Sequence, residues 1–181
     1  MKIKKIISLC KSNKCISLYD MTTQMLGDGF AAYYLNDCPV FSIGSLMASF
    51  DFTTTQAEKI VQLYTADPPE EFMRKVKDEF DGEECCEPLP ISLRMGSYSY
   101  IPYKTSAGIE FVESKYLEPF DTDEYELYYR QTESGAFFVA KYGLFVMAII
   151  PICTEQVLTE KNVDYLSELS AMSSVKYENF K

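Results

Sequence analysis

Ile3, Ile6, Ile7 and Cys10 recur at helical spacing, with Lys2, Lys4, Lys5 and Lys11 elsewhere on the wheel, which predicts an amphipathic first helix. The period then drops to two. Cys15 to Tyr19 alternates as a short strand, and Gly27-Asp28-Gly29 separates it from the aromatic-rich run Phe30 to Leu35, so the segment reads as a hairpin, with Asn36-Asp37-Cys38-Pro39 as the next turn. A second helix is expected from Thr53 or Thr55, whose hydroxyls can accept first-turn N–H bonds, with Glu58 near the positive end and Ala57, Ile60, Val61 and Tyr64 facing the core. Asp67-Pro68-Pro69-Glu70-Glu71 predicts a third helix with Asp67 as cap and Pro68 at the first helical position. Phe72, Val76 and Phe80 or Met73 point inward, and Asp81-Gly82 ends it.

The second half is dominated by strand patterns. Tyr98, Tyr100 and Tyr103 alternate with small residues, Ile109 to Val112 is short and apolar, and Tyr125 to Arg130 leads through Thr132-Glu133-Ser134-Gly135 into Ala136 to Tyr142. Gly143 turns the chain into Leu144 to Ile150, which reads as a buried strand, and Val163, Leu166, Leu169 and Met172 give a terminal helix from about Thr159. The fold class expected is α+β: an antiparallel sheet with flanking helices, residues 1–181 forming a single compact unit with halves 1–80 and 88–181 joined by an acidic connector, 81–87. Ile16 to Phe41 and Glu126 to Pro151 share an outline of strand, glycine-containing polar turn, aromatic-rich strand and apolar strand. Their recurrence suggests a duplicated helix-plus-hairpin architecture, like half of a DNA sliding clamp.

Composition narrows the chemistry. The 181 residues contain no histidine, so nucleophile–histidine pairs and most zinc sites are excluded. Ser134 before Gly135 lacks both the G-x-S-x-G frame and an activating base. The six cysteines, at 10, 15, 38, 85, 86 and 153, are scattered and lack C-x-x-C spacing, and free thiols are expected. Asp121, Asp123, Glu124 and Glu126 lack the glycine and terminal glutamate of a calcium loop and read as a solvated acidic loop. No catalytic residue, cofactor or metal is expected. The apolar run in MKIKKIISLCKSNK is too short for a secretory signal, and no stretch reaches the length of a membrane span, so a protein of the cytoplasm is expected.

Charge is distributed unevenly. Residues 1–66 carry six Lys/Arg against five Asp/Glu, whereas residues 67–181 carry eleven against twenty-two. The excess points to a basic partner and disfavours direct grip on a phosphate backbone. The densest acidic stretch holds Asp78, Glu79, Asp81, Glu83, Glu84 and Glu87. With Asp121, Asp123, Glu124 and Glu126 these are the candidate partner-binding residues, able to imitate a nucleic-acid backbone before an Arg/Lys-lined channel.

Leu26-Gly27-Asp28-Gly29-Phe30-Ala31-Ala32-Tyr33-Tyr34-Leu35 resembles a hydrophobic-Gly-Asp-Gly-x-Ala-x-Tyr-x-Leu hairpin near the N-terminus of uncharacterised proteins carried by prophages of gut Gram-positive bacteria. Such relatives have an aromatic residue before the motif where this chain has Gln24-Met25. In length and acidity the chain also resembles anti-CRISPR proteins. That resemblance implies a non-enzymatic inhibitor in the bacterial host cytoplasm whose partner is the RNA-guided nuclease of type II systems or another basic nucleic-acid-binding protein. The clamp-like outline implies the alternative, an accessory of phage DNA metabolism.

Overall fold

Helix α1 spans Ile3–Asn13 and stops where Lys14 takes the left-handed conformation, φ 52°. Its stripe of Ile6, Ile7, Leu9 and Cys10 is buried, each aliphatic side chain contributing roughly 1.5–3 kcal/mol. In the computed structural model, which describes residues 1–120 and 125–164, this stripe lies in a core that also takes residues from both sheets.

The strands are β1 (Cys15–Tyr19), β2 (Met25–Gly27), β3 (Ala32–Tyr34), β4 (Val61–Thr65), β5 (Glu84–Cys86), β6 (Leu93–Met95), β7 (Tyr98–Thr105), β8 (Gly108–Glu113), β9 (Glu126–Thr132), β10 (Gly135–Tyr142) and β11 (Phe145–Ile150). Eight of them form one sheet in the order β4-β1-β2-β3-β11-β10-β9-β5, antiparallel except for the parallel pair β1 and β4, and β6-β7-β8 form a second sheet. With α2 (Ile43–Ser49), α3 (Thr54–Lys59), α4 (Glu70–Lys75) and the short α5 (Thr154–Val157), the fold is α+β. Two three-stranded meanders, β1-β2-β3 and β9-β10-β11, meet through their third strands, with Tyr33 opposite Ala148 and Ala32 opposite Ile149. The two stretches that look alike in sequence are these two meanders.

Strand alternation sends side chains to two distinct cores. On one face Ile16, Leu18, Leu26, Tyr33, Ala148, Ile150, Phe138 and Leu127 pack with α1 and with Tyr103, Phe111 and Val112 of the second sheet. Tyr103 meets Phe138 with ring centroids 5.4 Å apart, and the Tyr33 hydroxyl donates to the Tyr116 carbonyl at 2.8 Å. On the other face Met25, Ala32, Phe137, Val139, Val146 and Ile149 pack with Val76 and, from α4, Phe72, whose ring stacks on Tyr19 at 4.1 Å. Tyr100, Tyr103 and Tyr129 are core residues, while Tyr98 is half-exposed.

Several expectations are corrected. The Gly-Asp-Gly turn closes a hairpin between β2 and β3, so a strand at Met25–Gly27 joins the sheet between the two that were read. The helix that Thr53 does cap ends at Lys59. Val61 and Tyr64, assigned to its core face, lie exposed on β4. Helix α4 begins after Pro69, its N-cap, and Asp67 makes no capping bond. A residue before proline is pushed out of the α region, so Pro68 cannot open a helix while Pro69 follows it. That helix ends at Lys75, ahead of the expected Asp81-Gly82 stop. Helix α2, not foreseen, is held by reciprocal bonds between Ser42 and Ser45. The expected terminal helix is seen as far as a helical turn over 160–164; Leu166, Leu169 and Met172 lie outside the described residues.

Asp28 is buried and organises the hairpin. Its Oδ1 accepts from the Phe30 and Ala31 amides at 3.0 and 2.8 Å, and its Oδ2 from Asn13 Nδ2 at 2.6 Å. A side chain at Gly27 would put Cβ 2.4 Å from the Ala31 carbonyl oxygen, so the first glycine of the motif is required by close approach. Gln24, next to the motif, is likewise used internally, clasping the N–H and C=O of Phe41 at 2.8 and 3.0 Å. Asp28→Ala leaves the Phe30 and Ala31 amides without their acceptor, the second of them buried, and is expected to lower unfolding free energy by about 1–3 kcal/mol in urea titration. Asp67→Ala is expected to stay within about 0.5 kcal/mol; a larger loss would restore Asp67 as the cap of α4.

Candidate protein-binding surface

Residues 75–83 follow α4 and cross the second face of the large sheet. There the alternation of β9 and β10 places two cations where apolar side chains would be expected: Arg130, fully buried, and Lys141, nearly so. Glu83 serves both. Its Oε2 accepts from Arg130 Nη2 at 2.6 Å and Nε at 2.8 Å, and its Oε1 from Lys141 Nζ at 2.5 Å. Arg130 Nη1 also donates to the Lys75 and Lys77 carbonyls at 2.9 and 2.7 Å, so one guanidinium ties down the backbone leaving α4. Phe80 lies over that guanidinium at 4.9 Å and Tyr128 over the Lys141 ammonium at 4.8 Å.

Anchoring this segment brings Asp78 to the end of the sheet where β10 turns into β11. The Asp78 carboxylate accepts from the Val146 amide at 2.7 Å, at the start of β11. Lys141 stands opposite Glu126, and Cys86 opposite Leu127, so continuing that register sets Glu87 across from Glu126. Burial pushes the exposed Cys85 thiol up, and Glu126, Glu87 and Glu83 push it the same way. The Tyr128 hydroxyl donates to Glu126 at 2.9 Å, which with burial raises the phenol to about 12.

The candidate residues therefore divide. Asp78, Glu83 and Glu84 make internal bonds, Glu84 accepting from the Ser106 amide at 2.7 Å. Asp78 is exposed although bonded, Glu83 and Glu84 are half-buried where a surface position is expected, and the stretch read as a connector contributes strand β5. Glu79, Asp81 and Glu87 are exposed, and no hydrogen bond or ion pair among the described residues engages them. Glu126 is also exposed, and with Glu87 it lies close to Cys85. Asp121, Asp123 and Glu124 lie outside the described residues.

At the same end the β10–β11 hairpin carries an apolar tip. Gly143, φ 59°, has the sign a type II′ turn requires at its first central position, and Tyr142 pairs with Phe145 across it. Leu144 is 79% and Phe145 66% exposed, with Tyr142 more than half exposed, correcting the reading of Leu144 to Ile150 as wholly buried. A groove of about 530 Å³ runs beside the tip, lined by Tyr34, Asp78, Tyr142, Phe145 and Met147 among others. Sequence reasoning missed these residues and also Arg130 and Lys141. A signal was present: Leu144 occupies the second position of a two-residue turn that is ordinarily polar, with Tyr142 and Phe145 flanking it, and Arg130 and Lys141 sit in phase with the second face of their strands.

Among the described residues no three of Cys, Asp and Glu stand close enough together to hold a metal ion, and all six cysteines are free. No described helix is long and apolar enough to cross a membrane. No family model, curated protein or solved structure matches this chain.

Removing the carboxylate that neutralises two buried cations is expected to be costly. Glu83→Gln should lower unfolding free energy by about 3–5 kcal/mol in denaturant titration, and the triple change Arg130→Met, Glu83→Leu, Lys141→Met should cost less than Glu83→Gln alone. A single variant as stable as the wild type would show that the trio does not hold the segment.

Proposed function

We propose that the chain acts by binding, without chemistry, a basic nucleic-acid-binding protein of the bacterial host, and within that class the RNA-guided nuclease of type II systems. The observation that carries this reading is convergence: Glu87 and Glu126, far apart in sequence, both approach Cys85 at the end of the sheet where β10 leads into the exposed tip Tyr142, Leu144 and Phe145, while Glu79 and Asp81 add exposed carboxylates on the segment that crosses the sheet. Like charges so placed raise the local negative potential, and a cationic channel would relieve it. Apolar side chains beside them supply what charge alone does not: buried area that slows dissociation once steering has brought the partners together. The resemblance of the Gly-Asp-Gly hairpin to prophage proteins supports a phage setting for such an inhibitor.

A second reading rests on the large sheet. Two meanders meet through their antiparallel third strands, Ala32 and Tyr33 against Ile149 and Ala148, an order that favours a clamp-like accessory of phage DNA metabolism.

The test is association with a guide-loaded type II nuclease followed by target cleavage. Neutralising Glu79, Asp81, Glu87 and Glu126 to the matching amides, with Asp78, Glu83 and Glu84 left in place, should slow association roughly tenfold or more. Wild-type association should slow as salt shortens the Debye length from about 10 Å at 0.1 M to about 3 Å at 1 M. Tyr142→Ser with Phe145→Ser should instead speed dissociation. A neutralised protein that still blocks cleavage at wild-type concentration would remove this end of the sheet from the interaction. A wild type that ignores the nuclease but associates with a phage polymerase or duplex DNA would favour the clamp reading.

A further inference from the structure

The two edges of the large sheet are built differently. At one edge β5 is three residues long, carries Glu84 and is followed by Glu87, Pro88 and Pro90, features that discourage a further strand from pairing. At the other, β4 is Val61-Gln62-Leu63-Tyr64-Thr65, five uncharged residues without proline. Val61, Leu63 and Tyr64 are 55%, 48% and 54% exposed, so both faces of the strand carry uncovered apolar surface. Among the described residues nothing pairs with its outer side.

The hydrogen bonding of β4 defines what that outer side offers. The Val61 amide donates to the Lys14 carbonyl and the Thr65 carbonyl accepts from the Asp20 amide, both at 2.9 Å, so 61, 63 and 65 turn their backbone groups inward to β1. Gln62 and Tyr64 therefore turn theirs outward. In an antiparallel pairing of β4 with itself about a two-fold axis at Leu63, Gln62 faces Tyr64 of the other copy. These two residues exchange N–H···O=C bonds on both sides of the axis. Leu63 faces Leu63 as the close, non-hydrogen-bonded pair, on the same face as Val61 and Thr65.

Charge favours the same antiparallel direction. Lys59, the last residue of α3, precedes the strand and Asp67 follows it, both exposed, so a two-fold axis at Leu63 brings the basic end of each strand towards the acidic end of the other, twice per pair. Lys14 and Asp20, at the two ends of the neighbouring β1, repeat the polarity of a basic end against an acidic one. We propose that β4 is a homodimer edge, through which two copies join their large sheets across a two-fold axis. The arrangement closes on itself, because the remaining edge of each copy is the acidic β5.

Sedimentation equilibrium of the full chain over about 1–100 µM should show a mass rising towards twice 20.7 kDa. Leu63→Lys, which puts like charges on the axis, should leave a monomer with an unchanged circular dichroism spectrum. Lys59→Glu and Asp67→Lys should each raise the dimer dissociation constant by roughly tenfold or more, and the double swap should bring it back. A wild type that stays monomeric at the highest concentration would overturn the proposal. So would a dimer indifferent to Leu63→Lys, or charge reversals that add up without rescue.

Discussion

Arg130 is a guanidinium with no contact to solvent, and the second face of the sheet is arranged around that fact. A buried cation is tolerable only when its donors are used and its charge is met, and here the donors are used by Glu83 and by the carbonyls of Lys75 and Lys77. Lys141 shares the same carboxylate, leaving the trio with one positive charge in excess. The stabilisation such a group offers over an apolar core is small. What it adds is uniqueness of placement, since few backbone paths bring carbonyls and a carboxylate to five fixed N–H directions at once.

That placement links stability to the proposed interaction. With residues 75–83 pinned over β9 and β10, Asp78 reaches the start of β11 and β5 runs alongside β9, so the exposed Glu87 ends near Glu126 at the end of the sheet that carries the Tyr142–Phe145 tip, and Glu79 and Asp81 stay exposed on the crossing segment. Three carboxylates of the acidic stretch are consumed in building this end, and the others are presented by it. Net charge alone does not separate the two groups; the partners of each side chain do.

The elements legible in sequence are those with one dominant period. Helix α1 shows its stripe, and β7 to β11 are long enough for alternation and glycine turns to mark them. The failures share a cause in tertiary context. Ala57, Ile60, Val61 and Tyr64 satisfy helical spacing, yet parallel pairing with β1 draws 61–65 into the sheet, where Val61 and Thr65 also prefer to be. At Asp67-Pro68-Pro69 the capping signal was read without the second proline's effect on the first. Helix α2, seven residues with a glycine in its first turn, is too short for periodicity to register. Of the candidate site, the acidic residues were legible as a density of charge. The pairing of Glu83 with Arg130, 47 residues away, and the apolar tip depend on strand register that local sequence does not encode.

Amide hydrogen exchange on the wild type and on Arg130→Met tests most directly whether the buried guanidinium anchors this end of the sheet. Protection should fall across 76–86 and at the Val146 amide, which Asp78 holds, while the amides of β1, β2 and β3 exchange as before. Uniform loss across all strands, or protection of 76–86 that survives the substitution, would contradict it.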